Sequence, residues 1–260
     1  MSSRAISRVW VGVVATLAVV ACLVSTVHAD YVTVADWQFN DGALLVDSSG
    51  NGHTLAVSSG GTVGNTDGKA VFSGAGWLQT AGALDLTRYS SLLVSYGVDV
   101  TTPASSYPMI FEQNSPFFNN PGAIFTHWGP GNGTGPMAGM SWYKGGAAIN
   151  YNVATYTASQ TADYVVALDL SKNLSAPTEL TKVFMNGTLI STNASASLDD
   201  PMSFANGLFN IGARGDGSLN LAGTISYFKI EGQPVPEPGT IMLLTSGLIG
   251  MVVYAWRKRR

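Results

Sequence analysis

The sequence predicts an all-β fold, an antiparallel β-sandwich, and three observations carry that expectation. Along Leu92–Val100 the apolar residues fall at 92, 94, 96, 98 and 100, with Ser95, Gly97 and Asp99 between them. That period of two marks a strand with one buried face. Asn186-Gly187 sits between the apolar runs Val183–Met185 and Thr188–Ile190, the strongest short-range hairpin signal. No stretch of the middle region holds a helical period, and Gly, Asn, Ser and Pro punctuate it throughout. Tyr164–Leu170, Leu208–Gly212 and Thr224–Ile230 read as further strands. Many strands without crossover helices argue for two packed antiparallel sheets.

The ends read differently. Arg4 and Arg8 precede the apolar run Trp10–Val24, and Val27-His28-Ala29 follows as a small-x-small cleavage pattern. This is the order of a secretory signal peptide over residues 1–29, cut after Ala29. A retained helix anchor is the alternative, although 15 residues are short for a span of about 20. Cys22 could carry a lipid, but Leu23 and Val24 stand where a polar tether is expected. Asp30–Val235 is 206 residues, the size of one β-rich domain, with the sandwich drawn over 30–232. It holds 7 basic against 15 acidic residues, a net of −8, so nucleic acid is excluded as a partner. Cys22 is the one cysteine, so the exported part has neither a disulfide nor a thiolate metal site.

Residues 233–260 form the third segment. Pro236-Glu237-Pro238 leads into Thr240–Trp256, uncharged over 17 residues, and then Arg257-Lys258-Arg259-Arg260. The prolines stop a helix from extending upstream, so a transmembrane helix is expected over 240–256. The terminal cations hold that end in the cytoplasm and place the domain across the membrane. The three parts in this order resemble the PEP-CTERM sorting signal of Gram-negative bacteria. The resemblance implies an exosortase as partner, cutting near the Pro-Glu-Pro, and display at the cell surface or in an extracellular matrix.

Within the middle region the landmarks run Trp37-x-Phe39-Asn40-Asp41-Gly42, Asp47-Ser48-Ser49-Gly50-Asn51-Gly52-His53 and Gly68-Lys69-Ala70-Val71-Phe72-x-Gly74. They continue with Phe184-Met185-Asn186-Gly187, Phe209–Arg214 and Gly223–Ile230. The series is similar to the laminin-G-like, concanavalin A-like lectin/glucanase superfamily. That resemblance implies a jelly-roll whose concave face or rim loops bind saccharide or protein.

Catalytic patterns are scarce. Retaining glycosidases need two carboxylates about 5–5.5 Å apart, and the Glu-x-Asp-x-x-Glu strand of glucanases with this fold is missing. Glu112, Glu179 and Glu231 have no acidic residue within three positions, and Asp199-Asp200 precedes Pro201 as a loop pair. Tyr227-Phe228-Lys229 imitates part of an alginate-lyase pattern. The positions two before His53 and His127 are Asn51 and Phe125, not the Gln that pattern requires. No nucleophile elbow is present. A non-enzyme is expected.

Binding signals remain. Asp47, Ser49 and Asn51 place oxygen ligands at alternate positions before Gly52, like the first half of a calcium loop. Ser58 stands where a bidentate Glu would close it, and Ser226 where laminin-G-like relatives supply an acidic ligand. Structural calcium is thus a possible cofactor, and capping of a turn by Asp47 is the alternative. Arg214-Gly215-Asp216 spells an adhesion tripeptide, best explained as a hairpin loop. The aromatic-rich stretch Tyr107–Tyr156 supplies the candidate carbohydrate-binding residues His127, Trp128, Asn132, Trp142 and Tyr143. Trp128, beside Gly129-Pro130-Gly131, is expected in an exposed loop, whereas Trp37, Phe39, Phe72 and Phe184 are assigned to the core. The function expected is a non-catalytic, lectin-like surface domain binding polysaccharide or matrix. The alternative is a structural or adhesive protein contacting other proteins, and a lyase or hydrolase ranks third.

Overall fold

The computed structural model describes residues 30–40, 42–58, 60–100, 108–113, 122–128, 136–144, 148–157, 161–172, 179–192, 203–235 and 238–259. Among them the strands are β1 (Val32–Trp37), β2 (Leu55–Val57), β3 (Val63–Thr66), β4 (Lys69–Ser73), β5 (Leu78–Thr80), β6 (Leu84–Asp85), β7 (Tyr89–Asp99), β8 (Met109–Gln113) and β9 (Ile124–His127). They continue as β10 (Met137–Lys144), β11 (Ala148–Thr155), β12 (Thr161–Asp169), β13 (Thr181–Met185), β14 (Thr188–Thr192), β15 (Asn206–Gly207), β16 (Phe209–Ile211) and β17 (Ala222–Pro234). One sheet runs β14-β13-β12-β7-β17-β4-β3, with β1 also paired to β17. The second runs β11-β10-β9-β8-β16-β5-β2, and β15 pairs with β6. The pairings are antiparallel, as the missing crossover helices require.

The alternation along β7 is the hinge of the architecture. Leu92, Val94, Tyr96 and Val98 are buried between the sheets, and Gly97 pairs with Asp163 of β12 on one side and Tyr227 of β17 on the other. From β17, Ile225, Phe228 and Ile230 face the same core, and from β12, Tyr164, Val166 and Leu168 do. A bulge between Ile225 and Tyr227 keeps β17 in phase with β7. β17 runs on to Pro234, which pairs with Tyr89.

An aromatic chain crosses the interior. Trp37 stacks on Phe209 at 6.2 Å, Phe209 on Phe111 at 5.6 Å, and Phe228 meets Phe111 and Phe209 at 5.5 Å each. Tyr96 lies 5.7 Å from both Phe228 and Tyr164. Such rings contribute about 0.5–1.5 kcal/mol per pair beyond their area burial. Trp37, Phe39 and Phe72 are core residues, as expected. Phe184 is not. It pairs with Val165, whose side chain is also only half-buried, while its neighbour Val183 points inward.

The Asn186-Gly187 turn joins β13 to β14 with φ of 49° and 78°, the two positive values a type I′ hairpin demands. Separately, a helix, α1, covers Pro238–Arg257. It starts two residues before 240 because proline is tolerated in a first helical turn. Among the described residues no helix is long and apolar enough to cross a membrane. A spanning role for 240–256 therefore rests on the sequence. Ala29, Pro236, Glu237 and Arg260 lie outside the described residues; the basic tail continues from α1, with the Lys258 amide donating to Tyr254 O at 3.0 Å.

Candidate functional site

Of the expected aromatic platform, the side chains of Trp128 and His127 are described, and both are buried. Trp128 is 5% exposed and packs edge-on against Tyr164 at 5.6 Å, a correction to the exposed-loop expectation. The cause is its backbone: the Trp128 amide donates to Pro108 O at 2.8 Å, which draws the residue after β9 inward. His127 is 8% exposed, with its ring edge-on to Phe125 at 5.5 Å. Trp142 and Tyr143 hold backbone positions in β10 opposite Asn150 and Ile149. Their side chains, and Asn132, lie outside what is described.

The Asp47 loop is a latch on β1. Asp47 Oδ1 accepts from the amides of Asp36 at 3.0 Å and Ser49 at 2.9 Å, and Oδ2 accepts from His53 at 2.8 Å. Burial pushes this carboxyl up, but the bonds from Ser49, Asp36 and His53 outweigh it and hold it below the ordinary range. Asn51 donates to the carbonyls of Thr33 and Val34 at 2.9 Å each, where the register of β1 slips between Thr33 and Ala35. Trp37 Nε1 donates to His53 O at 2.8 Å. The motif thus satisfies an irregular strand edge. Three of the roughly four lone-pair positions of Asp47 face N–H groups, which a calcium ion would have to displace, so the donor set does not fit the metal. Among the described residues no three His, Cys, Asp or Glu side chains gather as a metal site.

A buried polar line crosses the outer face of the second sheet. Gln79 Nε2 donates to Asn210 Oδ1 at 2.7 Å, and Asn210 Nδ2 to Glu112 O at 3.4 Å. Glu112, fully buried, accepts from the Gly215 amide at 2.7 Å and lies 4.0 Å from Arg214 Nε. The Arg214-Gly215-Asp216 tripeptide is therefore a turn tied down onto β8, with Arg214 also 3.6 Å from Asp216.

The clearest recess opens on the outer face of the first sheet. Gly97, at an outward position near the end of β7, forms its floor. A Cβ there would meet Ser226 Oγ and come within 2.8 Å of Asp163 Oδ1. The hollow is about 310 Å³ and is lined by Lys69, Asp99, Thr161, Asp163, Asn186, Thr224 and Ser226 among others. Thr161 Oγ1 donates to Asp99 Oδ1 at 3.1 Å, and Asn186 Oδ1 accepts from the Asp163 amide at 3.0 Å. Burial and the negative charge of the neighbouring Asp163 push the Tyr227 phenol up to about 12. A tyrosine held protonated in this way is a poor general base. The one sequence signal for this recess is a glycine interrupting an alternating strand.

Residues 234–260 match the PEP-CTERM protein-sorting motif, so the chain carries an export and C-terminal sorting signal of Gram-negative bacteria. No curated protein matches the sequence. The sandwich is similar to domain 4 of AbnA, a GH43 extracellular arabinanase from Geobacillus stearothermophilus, solved with arabinotriose. That match has 18% identity and a TM-score of 0.55, covering 79% of this chain and 95% of that one. It is similar also to a structure of botulinum neurotoxin type C, whose cell entry depends on two ganglioside molecules (16% identity, TM-score 0.50, 83% of this chain and 51% of that one). A third is the binding domain of botulinum neurotoxin DC in complex with rat synaptotagmin II (15%, 0.50, 84% and 52%). The chain spans about half the length of these toxin chains. At these identities the likeness establishes the β-sandwich fold.

Proposed function

We propose that the chain is an exported, non-catalytic binding domain that holds polysaccharide at the cell surface or in the extracellular matrix. The observation that carries this reading is the hollow over Gly97, where hydroxyl, amide, carboxylate and ammonium groups converge on a floor of paired strands. Its volume is at the lower end of small-molecule sites, about 300–1,000 Å³. Sugars offer many hydroxyl donors and acceptors, which such a lining can satisfy without a proton-transfer pair. The fold supports the reading by analogy, since AbnA domain 4 was solved with arabinotriose. Delivery in this reading runs by secretion through 1–29, transient anchoring by 240–256 and exosortase cutting near Pro236-Glu237-Pro238, and the sorting motif over 234–260 supports the last step.

The test is a glycan array probed with the full-length chain in a detergent without sugar groups. Retention of one or more oligosaccharides supports the reading. A folded protein that retains none, but captures a surface protein of the producing cell, overturns it in favour of the adhesive alternative.

A further inference from the structure

We infer that the hollow over Gly97 accepts uncharged sugar units and turns away uronic-acid and sulfated ones, an inference that rests on the polysaccharide-binding reading above. Position 97 has no side chain, so Ser226 Oγ, Asp163 Oδ1 and the Tyr227 ring edge close in to within about 3.0 Å of where a Cβ would lie; every other outward position of β7 from Leu93 to Asp99 carries a side chain. Around that floor stand two carboxylates, Asp99 and Asp163, and one ammonium, Lys69, with Thr161, Thr224, Ser226 and Asn186 completing the wall. The nearby cation on the same strand face, Lys229, is already paired with Glu231 at 2.8 Å, so the lining keeps a net negative charge.

Ionised carboxylates accept hydrogen bonds and cannot donate them. Thr161 occupies one acceptor position of Asp99. The remaining positions suit the adjacent hydroxyl donors of a neutral sugar. Asn186, fixed by the hairpin turn and by its bond to the Asp163 amide, brings an NH₂ donor to the rim. A sugar carboxylate or sulfate would place a second anion against these acceptors. One uncompensated charge at contact distance in water is enough to cost roughly fivefold in affinity, and added salt shrinks that difference.

The test compares binding of the full-length chain to an array of neutral arabino-, gluco-, manno- and galacto-oligosaccharides and of galacturonic and guluronic oligomers. Wild type, Gly97→Ala and Asp99→Asn are measured side by side, with thermal melts to establish folding. A new Cβ at 97 would press on Ser226 Oγ and Asp163 Oδ1, which can turn aside, and on the Tyr227 ring edge at 3.0 Å, so the melts decide whether Gly97→Ala stays folded. It should weaken neutral-glycan binding tenfold or more. Wild type should prefer neutral over uronic oligomers at least fivefold, and Asp99→Asn should narrow that ratio. If Gly97→Ala were unfolded, the Asp99→Asn ratio would still decide the charge argument. Uronic oligomers binding as tightly as neutral ones would overturn the inference while leaving the function intact. Neutral binding unchanged in folded Gly97→Ala would move the site elsewhere. A folded wild type that binds no member of the array would remove the function itself.

Discussion

Asp47→Ala separates a turn cap from a metal ligand. The substitution strands three amides, those of Asp36, Ser49 and His53, each bonded to a charged acceptor and contributing about 1.5–3 kcal/mol when wholly lost. Ser49 and His53 are only partly buried and can turn to water, whereas the Asp36 amide sits in β1. The expected loss is therefore about 3 kcal/mol, below the simple sum. For a domain of this size that lowers Tm by about 6–12 °C. Asp47→Asn keeps one acceptor oxygen and should lose roughly half as much. Because the native carboxyl is held below its ordinary range, its contribution is complete above the unfolded value of about 3.9 and disappears as pH falls through the lowered native value. Thermal melts of wild type and both variants, at neutral pH and at pH about 3, with calcium or chelator, supply the assay. The gap between wild-type and variant curves should narrow in acid, and calcium should move neither. A loss under about 1 kcal/mol would refute the capping account. Equally, a calcium-dependent rise in wild-type Tm that Asp47→Ala abolishes would restore the metal site.

Other expectations are read more simply. Trp128→Ala, which empties a buried site against Tyr164, should cost about 3–5 kcal/mol in a denaturant melt while the folded fraction keeps its glycan profile. Two glycines with positive φ should part company. Gly223→Ala puts a Cβ 2.5 Å from the Asp99 carbonyl and should prevent stable folding, whereas Gly187→Ala meets nothing within 4 Å and should cost about 1–2 kcal/mol, read by the same melt. Replacing Pro236-Glu237-Pro238 by alanines should leave a full-length precursor in membranes, seen on an immunoblot as failure to shift to the processed form.

The sandwich was legible because its signals are local. Alternation at 92–98 and the Asn186-Gly187 turn each specify a strand or hairpin without help from elsewhere, and both stand in the structure. Phe184 was misplaced because a strand face is set by pairing with β12, which the sequence of β13 alone does not reveal. Gly129-Pro130-Gly131 is a sound loop signal, but it speaks for the backbone after Trp128, not for a side chain drawn back onto Tyr164 by the Pro108 bond. The spacing of Asp47, Ser49 and Asn51 suits a metal or a turn equally, since both want oxygens in one small volume. What decides is where backbone N–H groups point, and that is set by packing against β1. The hollow was illegible for a related reason: Gly97 is visible as a break in the pattern, but Asp163 and Tyr227 reach it only once β12 and β17 pair beside β7.

The most direct test of the account is to map bound sugar by amide chemical-shift changes, using the tightest neutral oligosaccharide from the array on the full-length chain. The account predicts shifts concentrated at Gly97, Asp99, Thr161, Asp163, Thr224 and Ser226, with the Asp47–His53 loop and residues 124–128 silent. Shifts centred on those silent segments, with Gly97 and its neighbours unmoved, would contradict it.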